Sequence, residues 1–228
     1  HMLDATQLEV VQLSLKVAGT AVAFSLPLAL AVAWFLARST SRWRMIVDAL
    51  VHLPLVLPPV VTGYLLLVVL GRRGLVGGWL ADTFGIVFAF HWTGAALAGA
   101  IMGFPLMVRP IRLSLEAIDA GSEAAAATLG AAPVMVWLTV TLPLALPGVL
   151  AGLVLAFARA LGEFGATITF ASNIPGETRT LPLAIYSFIQ VPGGESQAAQ
   201  LIVISIAVSL SALVLAEWVA RRIRARQT

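Results

Sequence analysis

Five long apolar runs dominate this sequence, over about residues 10–37, 46–70, 86–108, 147–171 and 201–220. Each is long enough to cross the hydrocarbon core of a bilayer, which takes about 20 predominantly apolar residues in a helix. Backbone amides find no water in lipid, so a spanning segment must be a helix or part of a closed barrel. Barrel strands read as short alternating segments, and these runs do not alternate. Composition points the same way. Apolar residues make up 60% of the chain and charged residues 11%, with a mean hydropathy of +0.97, whereas soluble domains are about 45–50% apolar. The expectation is an all-α membrane protein: a polytopic bundle of five transmembrane helices, one domain over residues 8–220.

Arginines flank these runs. Arg38, Arg42 and Arg44 follow the first, Arg109 and Arg112 the third, and Arg221, Arg222, Arg224 and Arg226 the fifth. Alternating crossings put them all on one side, with Arg72, Arg73 and Arg179 on the other. Lys and Arg accumulate in short cytoplasmic segments. The N-terminus is therefore expected in the periplasm and the C-terminus in the cytoplasm, with residues 221–228 as a basic tail. The pI near 10.2 then reflects topology, and no nucleic-acid partner is expected, because the basic residues do not share one polar face. Trp34, Trp43 and Trp218 fall near inner boundaries and Trp79 and Trp92 near outer ones, as interfacial aromatics do. Lys16 can snorkel outward from the first turns of the first span. His1-Met2 reads as a remnant of tag removal, within a short periplasmic segment over residues 1–7. No cleavable leader is evident.

With no cysteine in the chain, disulfides and thiolate metal or redox sites are excluded. His52 and His91 have no Asp or Glu at ligand spacing, so no metal site is expected. Two small-residue stripes, Gly148, Gly152, Ala156, Ala160 and Ala95, Gly99, Gly103, predict close helix–helix packing.

The connector between the third and fourth runs, about 113–143, carries its own pattern. Asp119 can cap a short helix, and the alanines after Glu123 favour one. Gly130 suits the position that ends it and Pro133 the first turn of the next, which rejoins the membrane at Leu142-Pro143. A structured connector and a docking surface both fit this reading.

In the second run, Pro54, Pro58 and Pro59 remove helix hydrogen bonds. Broken backbone at membrane depth either packs against protein or lines a cavity. In the fourth run Arg159 is expected close to mid-membrane, with Glu163 one turn outward. Four-residue spacing puts both on one helix face. A central charge is costly and rarely unpartnered. Arg159 therefore either offers positive potential along a route or forms a self-neutralising pair that fixes packing. Residues 172–180 read as an outer loop, and 181–191 as a short helix lying at the surface.

The connector resembles the loop of type I ABC importer permeases written Glu-Ala-Ala, three residues, Gly, nine residues, Ile, one residue, Leu-Pro. Ala125 and Ala126 match its alanines, and Gly130, Val140, Leu142 and Pro143 follow in register. The family's glutamate position is Ala124, and Glu123 stands one residue earlier, about 100° away around a helix. The segments HLPLVLPPVV, GRRG, FPLMVR, RALGEFGATITF and NIPGETRTLP further resemble bacterial molybdate permeases, with sulfate and tungstate permeases as more distant relatives. The resemblance implies an inner-membrane permease subunit in which residues 121–130 form a coupling helix, seated in a cleft of the cytoplasmic ATPase. Two copies of the chain would form the pathway, two ABC ATPase subunits would bind ATP and Mg below, and a periplasmic binding protein would deliver the oxyanion. From the breaks and charges above, Pro58, Pro59, Arg159 and Glu163 are the candidates for a pathway or gate, and Gly176, Glu177, Thr178 and Arg179 for the periplasmic loop.

The only lysine is Lys16, in a Ser-Leu-Lys-Val context, so no P-loop GxxxxGK[ST] is present. The chain is expected to bind no cofactor and to depend on a separate ATPase. An ion-coupled secondary transporter with Arg159 and Glu163 as a proton relay is the alternative mechanism, and tungstate or sulfate the alternative cargo. An enzyme is disfavoured by the lack of GxSxG and HExxH motifs.

Overall fold

The first apolar run folds as α1, Ala5–Arg38. In this computed structural model the described backbone covers residues 5–227; the side chains of Ala216, Ala220 and 223–228 lie outside the described residues, as do His1-Met2. The topological roles expected of Arg224 and Arg226 fall among them. The chain continues through α2 (Trp43–Val56), α3 (Pro59–Leu70), α4 (Leu75–Phe84), α5 (Trp92–Glu116), α6 (Ala120–Thr128) and α7 (Pro133–Val136). It ends with α8 (Leu142–Leu161), α9 (Gly165–Phe170), α10 (Leu181–Ile189) and α11 (Glu195–Gln227).

Among the described residues four helical segments are long and apolar enough to cross a membrane: Ala5–Arg38, Trp92–Glu116, Pro133–Leu161 and Glu195–Val219. The bent pair α2–α3 makes a fifth only if both halves count as one span.

α5 and α8 pack along their length, as the two stripes predict. A Cβ on Gly152 would lie 2.7 Å from the Met107 carbonyl oxygen, and one on Gly103 3.0 Å from that of Ala156. The backbones touch because nothing stands between them. In lipid this is how helices associate: close approach multiplies small dispersion gains where no hydrophobic drive exists between helices. α1 lies across the pair, and Ala29, Ala33, Leu36, Met107, Ile111, Ala145 and Val149 share one buried cluster.

Three expected spans are corrected. The second run is not one straight helix. Leu57 precedes Pro58 and Pro58 precedes Pro59, and a residue before proline is pushed out of the α region. Both are extended, with ψ of 141° and 134°, and the chain turns through 114° between α2 and α3.

The third begins at Trp92, after a non-helical stretch in which Phe90 has φ 63°. The fourth runs over Pro133–Leu161, not 147–171. The helix that was to rejoin the membrane at Leu142 is already part of it. Pro143 cannot donate to the carbonyl four residues back, and the turn before it, Trp137–Thr141, is π-helical, with the Leu142 N–H bonded to the Trp137 oxygen.

α4 was not announced by the apolar pattern, since its 10 residues are too short to span. α10 is where a short helix was expected, but it does not lie free at the surface: Leu181, Leu183 and Ala184 are buried.

Candidate functional site

At one end of the bundle α6 stands out from the body with no buried residue. Asp119 occupies its N-cap position in extended conformation, yet its side chain makes no capping bond, and the helix starts on the Ser122 N–H to Asp119 carbonyl bond. The other end closes as expected. Gly130 takes φ +87°, the left-handed conformation that glycine adopts without penalty. The Gly130 N–H bonds to the Ala127 oxygen and the Ala131 N–H to the Ala126 oxygen, the pair that defines a Schellman stop. Pro133 opens α7 at its first turn. Ala124, Ala125 and Leu129 are exposed, Ala126 and Val140 are half-buried, and Leu142 and Pro143 begin α8.

Glu123 faces inward from α6. One carboxylate oxygen accepts from Arg38 Nη2 at 3.0 Å and from Thr141 Oγ1 at 2.7 Å. The last residue of α1, the centre of α6 and the last residue of the π-helical turn therefore meet on one atom. Further ion pairs tie the same end. Arg112 reaches Asp48 at 3.0 Å and Glu116 at 2.8 Å, and Arg44 reaches Glu116 at 3.3 Å.

Deeper in, the two broken segments meet. α8 ends at Leu161 because the chain turns at Gly162 and restarts as α9. Arg159 is in the last turn of α8, and Glu163 lies in the gap. Arg159 thus sits at a helix end, with no helix continuing straight past it. Apolar residues continue past the break, so the hydropathy pattern does not reveal it. The four-residue pairing does form: Arg159 Nη1 lies 2.5 Å from Glu163 Oε2. Glu163 Oε1 accepts the Ala166 N–H at 2.7 Å, capping α9, and Glu163 is only 2% exposed.

Across from it, Gly165 meets Pro59 and Gly63 meets Ala166. Cβ atoms there would fall 2.8 Å from Pro59 Cβ and 2.6 Å from the Ala166 oxygen. Pro58 is exposed beside this junction.

At the opposite end the loop after α9 is built on itself. Thr178 is fully buried and accepts the Ile174 N–H, while Arg179 donates to Asn173 at 2.8 Å. Gly176 turns the chain at φ +77° beside Glu9. Glu177 reaches the start of α5, where it accepts the Trp92 N–H at 3.2 Å and lies 3.2 Å from His91 Nδ1. The Trp92 amide, then His91, with Lys16 nearby, hold its carboxyl below the usual carboxylate range. A carboxylate at a helix N-terminus is also favoured by the helix dipole. Lys16 does not simply snorkel: its ammonium sits 3.7 Å from the Trp92 ring centre. Among the described residues no group of three His, Asp or Glu is placed to hold a metal.

Sequence reasoning missed Thr141 and Arg38 as partners of Glu123, and His91 and Trp92 as partners of Glu177. Thr141 lies between two motif positions, Val140 and Leu142, which was the one available signal.

The chain resembles known proteins over nearly its whole length. Residues 25–225 match the family described as binding-protein-dependent transport system inner membrane component. The molybdenum transport system permease protein ModB of Escherichia coli strain K12 is 61% identical over 218 residues, 96% of this chain and 95% of its own. The protein of that name from Haemophilus influenzae is 57% identical over the same shares. A bacterial ABC transporter involved in the import of the acidic polysaccharide alginate shares the fold, with a TM-score of 0.76 at 18% identity, covering 97% of this chain and 81% of that one. This chain belongs to the family of binding-protein-dependent transport system inner membrane components.

Proposed function

We propose that the chain is the membrane-spanning permease subunit of an ATP-driven importer whose cargo is molybdate. The observation that carries this is the 61% identity to a molybdenum transport permease over 96% of the chain. In this reading the end with Arg38, Arg44, Arg112 and α6 is cytoplasmic and the end with Glu177 periplasmic, so the N-terminus is outside and the C-terminus inside. The arginine distribution supports that orientation through the positive-inside rule. α6 is the coupling helix: it projects from the body, and Ala124, Ala125 and Leu129 offer a small, exposed face to an ATPase cleft.

The chain carries no ATPase site of its own. A second copy completes the pathway, two ABC ATPase subunits bind ATP and Mg, and a periplasmic oxyanion-binding protein delivers the cargo.

The route runs beside the junction of α3 and α9, where Pro59 meets Gly165, with Pro58 ahead of α3 and the Arg159–Glu163 pair at the turn from α8 to α9. Arg159 supplies positive potential to a tetrahedral dianion, and its pairing with Glu163 keeps that potential modest enough for release. Uptake of labelled molybdate by the reconstituted complex tests this, with tungstate and sulfate as competitors. Arg159→Ala should abolish uptake. Unchanged uptake in that variant would remove Arg159 from the route, and preferential sulfate uptake would overturn the cargo.

A further inference from the structure

The motif position that normally carries the loop glutamate is Ala124, and the neighbouring Glu123 does not take over an outward-facing role. Its carboxylate is already occupied inside the chain. Two donors, from Arg38 and Thr141, share one oxygen, and both partners of the Arg38 pair are about three-quarters shielded. Charge-assisted bonds of this kind are roughly twice as strong as neutral ones, and a shielded pair is little screened by salt.

We propose that Glu123 is a positioning residue that transmits movement of α6 to α8, and that it is not a contact for the ATPase. This rests on the reading of α6 as the coupling helix. Three features carry it. First, α6 buries none of its residues, so few contacts other than this carboxylate and the turn at Gly130 hold it to the bundle.

Second, the attachment point on the α8 side is a π-helical turn, Trp137–Thr141. Such turns are rare and recur at functional sites, and its i−5 bonding makes it the adjustable element between α7 and α8. A cavity of about 390 Å³ lies beside the link, bounded by Trp34, Ala127, Trp137 and Thr141. α6 therefore has space to shift against the turn.

Third, α8 runs as one helix for 20 residues from Leu142, with Pro147 inside it, about 30 Å at helical rise, and its last turn holds Arg159. A displacement applied at Thr141 is delivered at the Arg159–Glu163 pair, and from there through α9 to α3. Arg38 ties the same carboxylate to α1.

The test uses the complete complex of permease, ATPase and binding protein in proteoliposomes, with ATP hydrolysis and molybdate uptake measured in the same vesicles. Glu123→Ala, Arg38→Ala and Thr141→Val should each raise the ATP hydrolysed per anion about fivefold or more, the low end of coupling between sites. The Arg38→Ala, Glu123→Ala double variant should be no worse than either single, because both remove one link. Thr141→Ser keeps the hydroxyl and should keep the wild-type ratio, and the two Thr141 substitutions carry the test if a charge deletion fails to assemble.

Uncoupling by Glu123→Ala with wild-type ratios for Arg38→Ala and Thr141→Val would assign Glu123 to the ATPase and overturn the proposal. So would unchanged ratios in all three. Import by the unmodified complex is read alongside. Its failure would count against the permease reading itself, whereas normal import with unchanged ratios counts against the Glu123 link alone.

Discussion

Arg159 and Glu163 form an ion pair across the end of α8, and the second oxygen of the same carboxylate caps α9 at Ala166. Removing Arg159 would leave a buried carboxylate without its counter-charge. Breaking a buried pair from one side costs about 3–5 kcal/mol; Arg159 is 27% exposed, so the lower end, about 3 kcal/mol, is expected. Glu163→Gln keeps an acceptor for the Ala166 amide and leaves only a partly solvated guanidinium, so it should cost less. Thermal unfolding of the purified protein in detergent should rank Arg159→Ala below Glu163→Gln. The reverse order would mean that the carboxylate is not the buried member of the pair.

The contact between α3 and α9 depends on the lack of a side chain at Gly63. A Cβ there would meet the Ala166 oxygen at 2.6 Å and its Cα at 2.9 Å, which are backbone atoms that cannot swing aside. Gly63→Ala should cost about 1–3 kcal/mol, as overpacking does. Gly19, also helical but with nothing within 4 Å, is the control. Gly19→Ala should gain about 0.5–1 kcal/mol from helix propensity alone. Denaturation midpoints of the two variants should move in opposite directions.

Glu177 makes the loop between α9 and α10 acid-sensitive. Its carboxyl pKa is lowered in the folded chain, first by the Trp92 amide and then by His91. The folded state therefore binds this proton more weakly than the unfolded state. The stabilisation is complete above the ordinary glutamate pKa and is lost as pH falls through the lowered one. Hydrogen exchange at the Trp92 amide should accelerate over that acid window in the wild type, relative to the intrinsic pH dependence of exchange. Glu177→Gln should exchange faster at neutral pH and lose the additional acid dependence.

The existence of four apolar helices of spanning length was legible because the bilayer imposes one length scale on every helix that crosses it, but three of the expected bounds were not. The arginine bias was legible for a similar reason: it is a property of segment ends, not of contacts. Gly130 and Pro133 were also readable, since a left-handed stop and a first-turn proline depend on their own residues alone. The break at Pro58–Pro59 follows from pre-proline sterics, but its 114° turn is set by the packing of α3 on α9. The end of α8 was not legible. Leu161 and Phe164 are as apolar as what precedes them, and the restart is marked by the turn at Gly162 and by the Ala166 N–H bonding to the Glu163 carboxylate. The partners of Glu123 were not legible for a different reason. Its partner Arg38 is 85 residues away, and no local pattern announces such a pair.

The proposed oxyanion import is driven by ATP and requires this chain's partners. The most direct measurement is molybdate accumulation in proteoliposomes that contain the permease, its ATPase and the binding protein. Accumulation should require ATP and all three proteins, and should vanish when the ATPase is left out. Molybdate movement by the purified chain alone, without ATP or partner, would contradict the account and favour an ion-coupled carrier.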